Sequence, residues 1–95
     1  MDSNKSEEFY NKLKSQLADT SLWPNKYLYK FIVPSKPEKI EEISTIFDGM
    51  GAVIVKKESS KGTYTSVSIT VRMKSPDHVI EKYKEVGKIE GVISL

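Results

Sequence analysis

Hydrophobic residues alternate with polar ones along two stretches of this chain, and they recur at intervals of three and four along three others. The cleanest alternation runs from Thr63 to Lys74. Thr65, Val67, Ile69, Val71 and Met73 fall on one side of it. Tyr64, Ser66, Ser68, Thr70 and Arg72 fall on the other. A strand with one buried and one open face has this period. Lys26 to Val33 alternates too. Its more apolar side, Tyr27, Tyr29, Phe31 and Val33, is the expected core face, which leaves Leu28, Lys30 and Ile32 outside. Ala52 to Ser59, rich in valine and isoleucine, reads as another strand, and Val92 to Leu95 as a short last one.

The helical stretches carry their own start and stop signals. Ser6 is an expected N-cap, with Glu7 and Glu8 where the helix dipole favours carboxylates. Phe9, Leu13 and Leu17 then form a thin stripe on a helix reaching Ala18. Ser35 and Glu38 match a capping box, followed by Ile40, Ile43, Phe47 and Met50, with Gly49 and Gly51 as stops. Ser75-Pro76-Asp77 gives an N-cap, a proline at the first helical position and an acid in the first turn. Val79, Ile80, Tyr83 and Val86 give that helix its buried stripe, and Gly87 is its expected end. Ser60-Lys61-Gly62 marks a turn between two strands, with a positive φ expected at Gly62.

The order is a helix followed by β-α-β-β-α-β. Two βαβ units joined by a hairpin make the split βαβ arrangement. The predicted fold is therefore α+β and ferredoxin-like: a four-stranded antiparallel sheet with two helices on one face. Residues 1–21 are expected to be a helical extension and residues 22–95 the ferredoxin-like unit. The outer sheet face would carry Leu28, Lys30, Ile32, Tyr64, Ser66, Ser68, Thr70 and Arg72.

Composition narrows the function more by exclusion than by assignment. The 95 residues fit one domain, and a net charge of +2 does not by itself call for nucleic acid. The chain has no cysteine, so a disulfide framework and thiolate chemistry are excluded. The polar start, Met1 to Ser6, has no apolar core of a signal peptide, and the run Ala52 to Val55 is too short to span a bilayer. A cytoplasmic protein without a membrane contact is expected.

Catalysis needs a positioned acid or base beside the reacting group. The single histidine, His78, is expected at the third position of the last helix. There it would be exposed, with its protonated form disfavoured by the dipole. Glu41 and Glu42 are neighbours on a helix and point apart, so they do not chelate. No enzyme activity, metal or cofactor is expected. Ser59-Ser60-Lys61-Gly62-Thr63 offers hydroxyls, a lysine and a glycine in a tight loop, but it is not a P-loop, because the lysine precedes the glycine and no helix follows. Single-stranded RNA is the rival ligand for this fold. RNA-binding modules of this shape stack bases on aromatics of two strands. Here Lys61-Gly62 fits the start of their third-strand signature, but threonines occupy both stacking positions. Nucleic acid is therefore the alternative, not the first expectation.

The stretch from Ser59 to Val71 resembles the central motif of the YbeD-like family, small bacterial proteins of unknown function. Pro24 to Lys30 looks like that family's opening Pro…aromatic-x-Tyr-Lys, and Tyr83 to Glu90 like its Tyr-x-x-Leu-Gly-Lys-Ile-Asp ending. The resemblance covers roughly Leu22 to Leu95, and it implies a ferredoxin-like fold similar to ACT regulatory domains and a non-catalytic, regulatory role. Where ACT domains carry a glycine beside their amino-acid site, this chain has Val33-Pro34-Ser35-Lys36-Pro37. The expected function is a small regulatory or adaptor module that binds a partner protein or small ligand. Its expected binding residues are Lys30, Ser59, Ser60, Lys61, Gly62, Tyr64, Ser66, Ser68 and Arg72. The apolar Leu28 and Ile32 leave room for a homodimer through the sheet.

Overall fold

The structure, a computed structural model, describes residues 2–94, with side chains from residue 7 onward. Seven elements follow one another: α1 (Asp2–Thr20), β1 (Asn25–Pro34), α2 (Pro37–Ile46), β2 (Val53–Glu58), β3 (Tyr64–Met73), α3 (Pro76–Gly87) and β4 (Ile93–Ser94). The strands form one antiparallel sheet in the order β2-β3-β1-β4. This is the ferredoxin-like arrangement expected from the alternation of strand and helix signals. The expected end of the last strand at Leu95 lies outside the described residues.

The core forms where the inner sheet face meets α2 and α3. Tyr29, Phe31 and Val33 of β1 and Val67, Ile69, Val71 and Met73 of β3 are buried, as their alternation required. Ile43 of α2 and Val79 and Val86 of α3 close over them, with Phe47. Each fully buried side chain of this size contributes about 1.5–3 kcal/mol of transfer free energy. Tyr29 sits at the centre, with ring centroids 5.0 Å from Phe47 and 4.8 Å from Tyr83. Its hydroxyl donates to the Val79 carbonyl at 3.0 Å, so the buried polar group is satisfied. Burial, followed by the neighbouring Tyr83 and Tyr27 hydroxyls, holds its ionisation well above the ordinary tyrosine range.

Helix ends depart from the sequence signals in instructive ways. The start of α3 is as expected, with Ser75 Oγ accepting from the His78 N–H at 3.3 Å. The capping box at Ser35 does not form. Lys36 is the N-cap of α2, Pro37 follows it, and no side chain caps the helix. Proline is preorganised for the first helical position, which moves the helix start one residue on from Ser35. The Ser35 hydroxyl instead pairs with Thr65 Oγ1 at 2.8 Å, across to β3. At the other end of α2 the Ile46 carbonyl accepts from Lys82 Nζ at 2.9 Å, which ties α2 to α3.

Gly87 is the last residue of α3 and not a left-handed stop. The chain reverses at Gly91 instead, with φ +87, and a Cβ there would stand 3.0 Å from Pro34 Cγ. The first helix also begins earlier than expected, at Asp2, so Ser6 lies inside it. No glycine or proline precedes Ser6 to stop the helix there.

The helix α1 packs beside α3. Lys14 pairs with Asp77 at 2.7 Å and Lys84 with Glu7 at 3.0 Å. Both pairs are exposed, and such pairs orient more than they stabilise. Leu17 packs against the core, and its carbonyl accepts from the Trp23 indole at 3.1 Å. Phe9 of the predicted stripe is 62% exposed. The outer face of the sheet therefore stays uncovered by α1.

Candidate functional site: the open face of the sheet

The strand register fixes what the open face presents. Arg72 of β3 lies opposite Lys26 of β1. In the next row outward, Val53, Thr70 and Leu28 stand side by side across β2, β3 and β1. Val55, Ser68 and Lys30 form the row after that, then Lys57, Ser66 and Ile32, with Ile93 of β4 beside Ile32. Tyr64 ends the column on β3, opposite Pro34. The apolar members are truly solvated: Leu28 is 58%, Val53 63% and Val55 59% exposed.

Of the expected site residues, Lys30, Tyr64, Ser66, Ser68 and Arg72 therefore share this face. The expected list missed Lys26, Val53, Val55, Lys57 and Ile93. Those on β2 were within reach: Val53, Val55 and Lys57 alternate with Ile54 and Lys56, and pairing with β3 settles which set faces out.

The hairpin residues divide into structural and free groups. The Ser59 N–H donates to the Tyr64 carbonyl at 2.8 Å, and Ser59 Oγ accepts from the Tyr64 N–H at 3.2 Å. The Ser59 carbonyl accepts from the Gly62 N–H at 2.9 Å, and Gly62 has φ +72. Ser59 and Gly62 thus build the turn, and an L-residue would adopt the positive φ at Gly62 only with strain. Ser60 and Lys61 sit exposed at its tip. A shallow depression of about 400 Å³ joins the tip to the open face, bounded by Ile32, Lys57, Ser60, Tyr64 and Ser66 among others.

The electrostatics of the two sides differ. The strand positions on the open face include four cations, Lys26, Lys30, Lys57 and Arg72, and among the described residues no carboxylate. Glu58, the one acid within a strand, pairs with buried Thr65 at the end of β2 and borders the depression beside the hairpin. On the helix side, Glu38, Glu41, Glu42 and Glu85 gather around a surface hollow between α2 and α3.

Two further features lie away from the sheet face. His78 is half-buried and not exposed as expected, and its Nδ1 is buried with no hydrogen-bond partner among the described residues. A cleft of about 500 Å³ opens under α1, lined by Phe9, Tyr10, Tyr27, Phe31, Tyr83 and Val86 among others. Within it the Tyr27 and Tyr83 hydroxyls share a hydrogen bond at 2.8 Å. Burial and that bond push the Tyr83 hydroxyl up from its ordinary ionisation range. Among the described residues no group of histidines and carboxylates is placed to hold a metal ion, and no helix is long and apolar enough to cross a membrane.

A ferredoxin-like sheet with helices on one side and a bare, cationic, hydroxyl-bearing face on the other defines the class of this protein. Comparison with known proteins gives its family. Residues 19–95 match the family described as "Protein of unknown function (DUF493)", and the chain belongs to it. The protein is 30% identical over 83 residues to the UPF0250 protein YbeD of Escherichia coli, a match covering 84% of this chain and 95% of that one. The YbeD protein of Shigella boydii matches to the same extent. Among solved structures, the uncharacterized protein TM1266 from Thermotoga maritima superposes with a TM-score of 0.60 at 12% identity. That match covers 75% of this chain and 94% of the other. At that identity the likeness concerns the fold. The resemblance read from the Ser59–Val71 motif is thus a family membership, and the family is uncharacterised.

Proposed function

We propose that this protein is a non-catalytic regulatory or adaptor module of the cytoplasm, which binds a partner through its open sheet face and the adjoining Ser60-Lys61 hairpin tip. The observation that carries this reading is the uncovered face itself. It brings exposed Leu28, Val53 and Val55 together with Lys26, Lys30, Lys57 and Arg72 on one rigid surface. A rigid strand surface holds its side chains at fixed spacings, which recognition requires. An apolar patch rimmed by charge is the ordinary signature of an interaction site. The same cations would serve single-stranded RNA, but Tyr64 is the one aromatic among the described residues of this face. A base-stacking platform needs more than one.

The test is affinity capture from a bacterial lysate with the intact protein and with a Lys61→Ala/Tyr64→Ala variant. Both residues are exposed, so the variant should melt within about 1 kcal/mol of the parent. Loss of a reproducibly captured partner at unchanged melting temperature is expected. Identical capture by both proteins, or unfolding of the variant, would count against the reading.

A further inference from the structure

The open face has a relief that its charge alone does not describe. Its middle strand, β3, carries only small hydroxyl side chains at its central outward positions, Ser66, Ser68 and Thr70. Larger side chains rise on both flanks. Val53, Val55 and Lys57 stand on β2, and Leu28, Lys30 and Ile32 on β1. The face is therefore a trough running along β3, with Arg72 at one end and Tyr64 at the other. Its walls are two strand spacings apart, about 9.5 Å. An α-helix with its side chains is about 10–12 Å across, so its body would ride above the flanks and one ridge of its side chains would enter the trough. The floor of small side chains, Ser66 to Thr70, is four strand steps or about 13 Å long, enough for about two helical turns.

We propose that this trough is the docking site for an acidic amphipathic helix of a partner protein. This rests on the reading of the open face as a binding surface and adds the chemistry of what it binds. The partner's apolar stripe would seat between Val53 and Val55 on one wall and Leu28 and Ile32 on the other. Carboxylates beside that stripe would meet Lys57, Lys30, Arg72 and Lys26. The hydroxyls of the floor keep the trough wet when empty and leave room for a helix ridge when filled.

Charge complementarity selects this occupant over the others the surface could take. A second copy laid face to face would bring four cations against four, with no carboxylate at the outward strand positions among the described residues. A small ligand lacks an enclosing cavity here, since the depression near the hairpin is open to solvent. An extended strand added at the β2 edge would sit beside the trough and leave its floor bare, and the edge carries the successive lysines Lys56 and Lys57, a common guard against strand addition.

The experiment starts from a random-peptide phage library panned on the full-length protein. Selected sequences are synthesised, and their binding is followed by fluorescence anisotropy at low and moderate salt, by circular dichroism, and by amide chemical shifts of the protein. We expect peptides with an i, i+3, i+4 apolar stripe flanked by Asp or Glu. They should gain helicity on binding and shift the amides of β1, β2 and β3. Lys30→Glu/Arg72→Glu should weaken them about three- to thirtyfold, through the loss of two exposed charge contacts. Ser68→Trp, which fills the trough, should abolish binding. Glu41→Lys/Glu42→Lys on α2 should leave it unchanged.

Peptides that map to the sheet face but carry no acidic bias, or that bind as strands along β2 indifferent to Ser68→Trp, would overturn this inference and leave the proposed function standing. Failure to select any peptide, or peptides that all map to the helix side, would overturn both. So would a single-stranded oligouridylate that shifts the sheet-face amides where no peptide does. Should Ser68→Trp unfold the protein, the charge-reversed pair still decides the matter.

Discussion

Replacing Tyr29 by phenylalanine removes one oxygen from the centre of the core and should do opposite things at neutral and alkaline pH. The ring is fully buried among Phe31, Phe47 and Tyr83, so phenylalanine fills the same space. What is lost is the hydrogen bond from the hydroxyl to the Val79 carbonyl. That carbonyl lies in α3, where the helix ladder supplies it a second donor. The cost at neutral pH is therefore that of one ordinary hydrogen bond, about 1 kcal/mol.

At high pH the balance changes. In the unfolded chain the tyrosine ionises near pH 10, whereas in the folded protein burial keeps it protonated well above that. Above pH 10 the unfolded state then binds fewer protons than the native one, and stability falls as pH rises. The contribution of Tyr29 is complete below its unfolded pKa. It declines above it by about 1.4 kcal/mol per pH unit until the folded group titrates. Phenylalanine has no such decline. The two stability curves should therefore converge and cross about 0.7 to 1 pH unit above the unfolded value, near pH 11. Urea denaturation followed by circular dichroism from neutral pH to pH 11 measures both curves. A constant difference at every pH would show that Tyr29 ionises alike in both states, and the account of its burial would fail.

Other substitutions separate the roles of neighbouring residues. Ser59→Ala should lower stability by about 0.5–1 kcal/mol, because the Tyr64 N–H loses its side-chain acceptor at a solvated site. Lys61→Ala, two positions on, should leave the melting temperature unchanged. A thermal scan in which the two behaved alike would dissolve the distinction drawn between turn and tip. Gly91→Ala should cost more than either, about 1–2 kcal/mol for the left-handed backbone alone. Its Cβ would in addition press on Pro34. An alanine variant as stable as the parent in urea would mean that the chain can leave φ +87 without penalty.

What could be read from the sequence was whatever depended on near neighbours. The period of two along β3 needed only the pleat, and it gave both the buried and the open side. The start of α3 needed three consecutive residues, Ser75, Pro76 and Asp77. The features that were missed depend on distant parts of the chain. Whether Ser35 caps α2 is settled by Thr65, thirty residues on, which takes its hydroxyl. Gly91 turns the chain where Pro34 leaves no room for a side chain, so its role cannot be seen without β1 beside it. Gly87 ends α3 as its position suggested, without adopting a left-handed backbone. The site shows the same division. Lys30, Ser66, Ser68 and Arg72 could be placed by alternation within their own strands. Val53, Val55 and Lys57 came to the same surface only through pairing with β3.

The same strand then sets the character of the open surface. β3 is central, paired on both sides, and its inward residues from Thr65 to Met73 are buried almost completely. Its outward residues are therefore as rigid as the core behind them. Were they large and apolar, the face would be an exposed hydrophobic slab and prone to association. Serine and threonine avoid this while keeping the β-branched or small shape a strand accepts. The apolar side chains are displaced to the flanking strands, where lysines interrupt them. A surface shaped only by solubility would have no reason to place nearly all the acids on the helices and loops and only cations at the charged outward strand positions. Segregation of that kind costs the free protein some self-repulsion. Contact with an anionic partner would turn that repulsion into attraction, which makes the open face the first place to look for one.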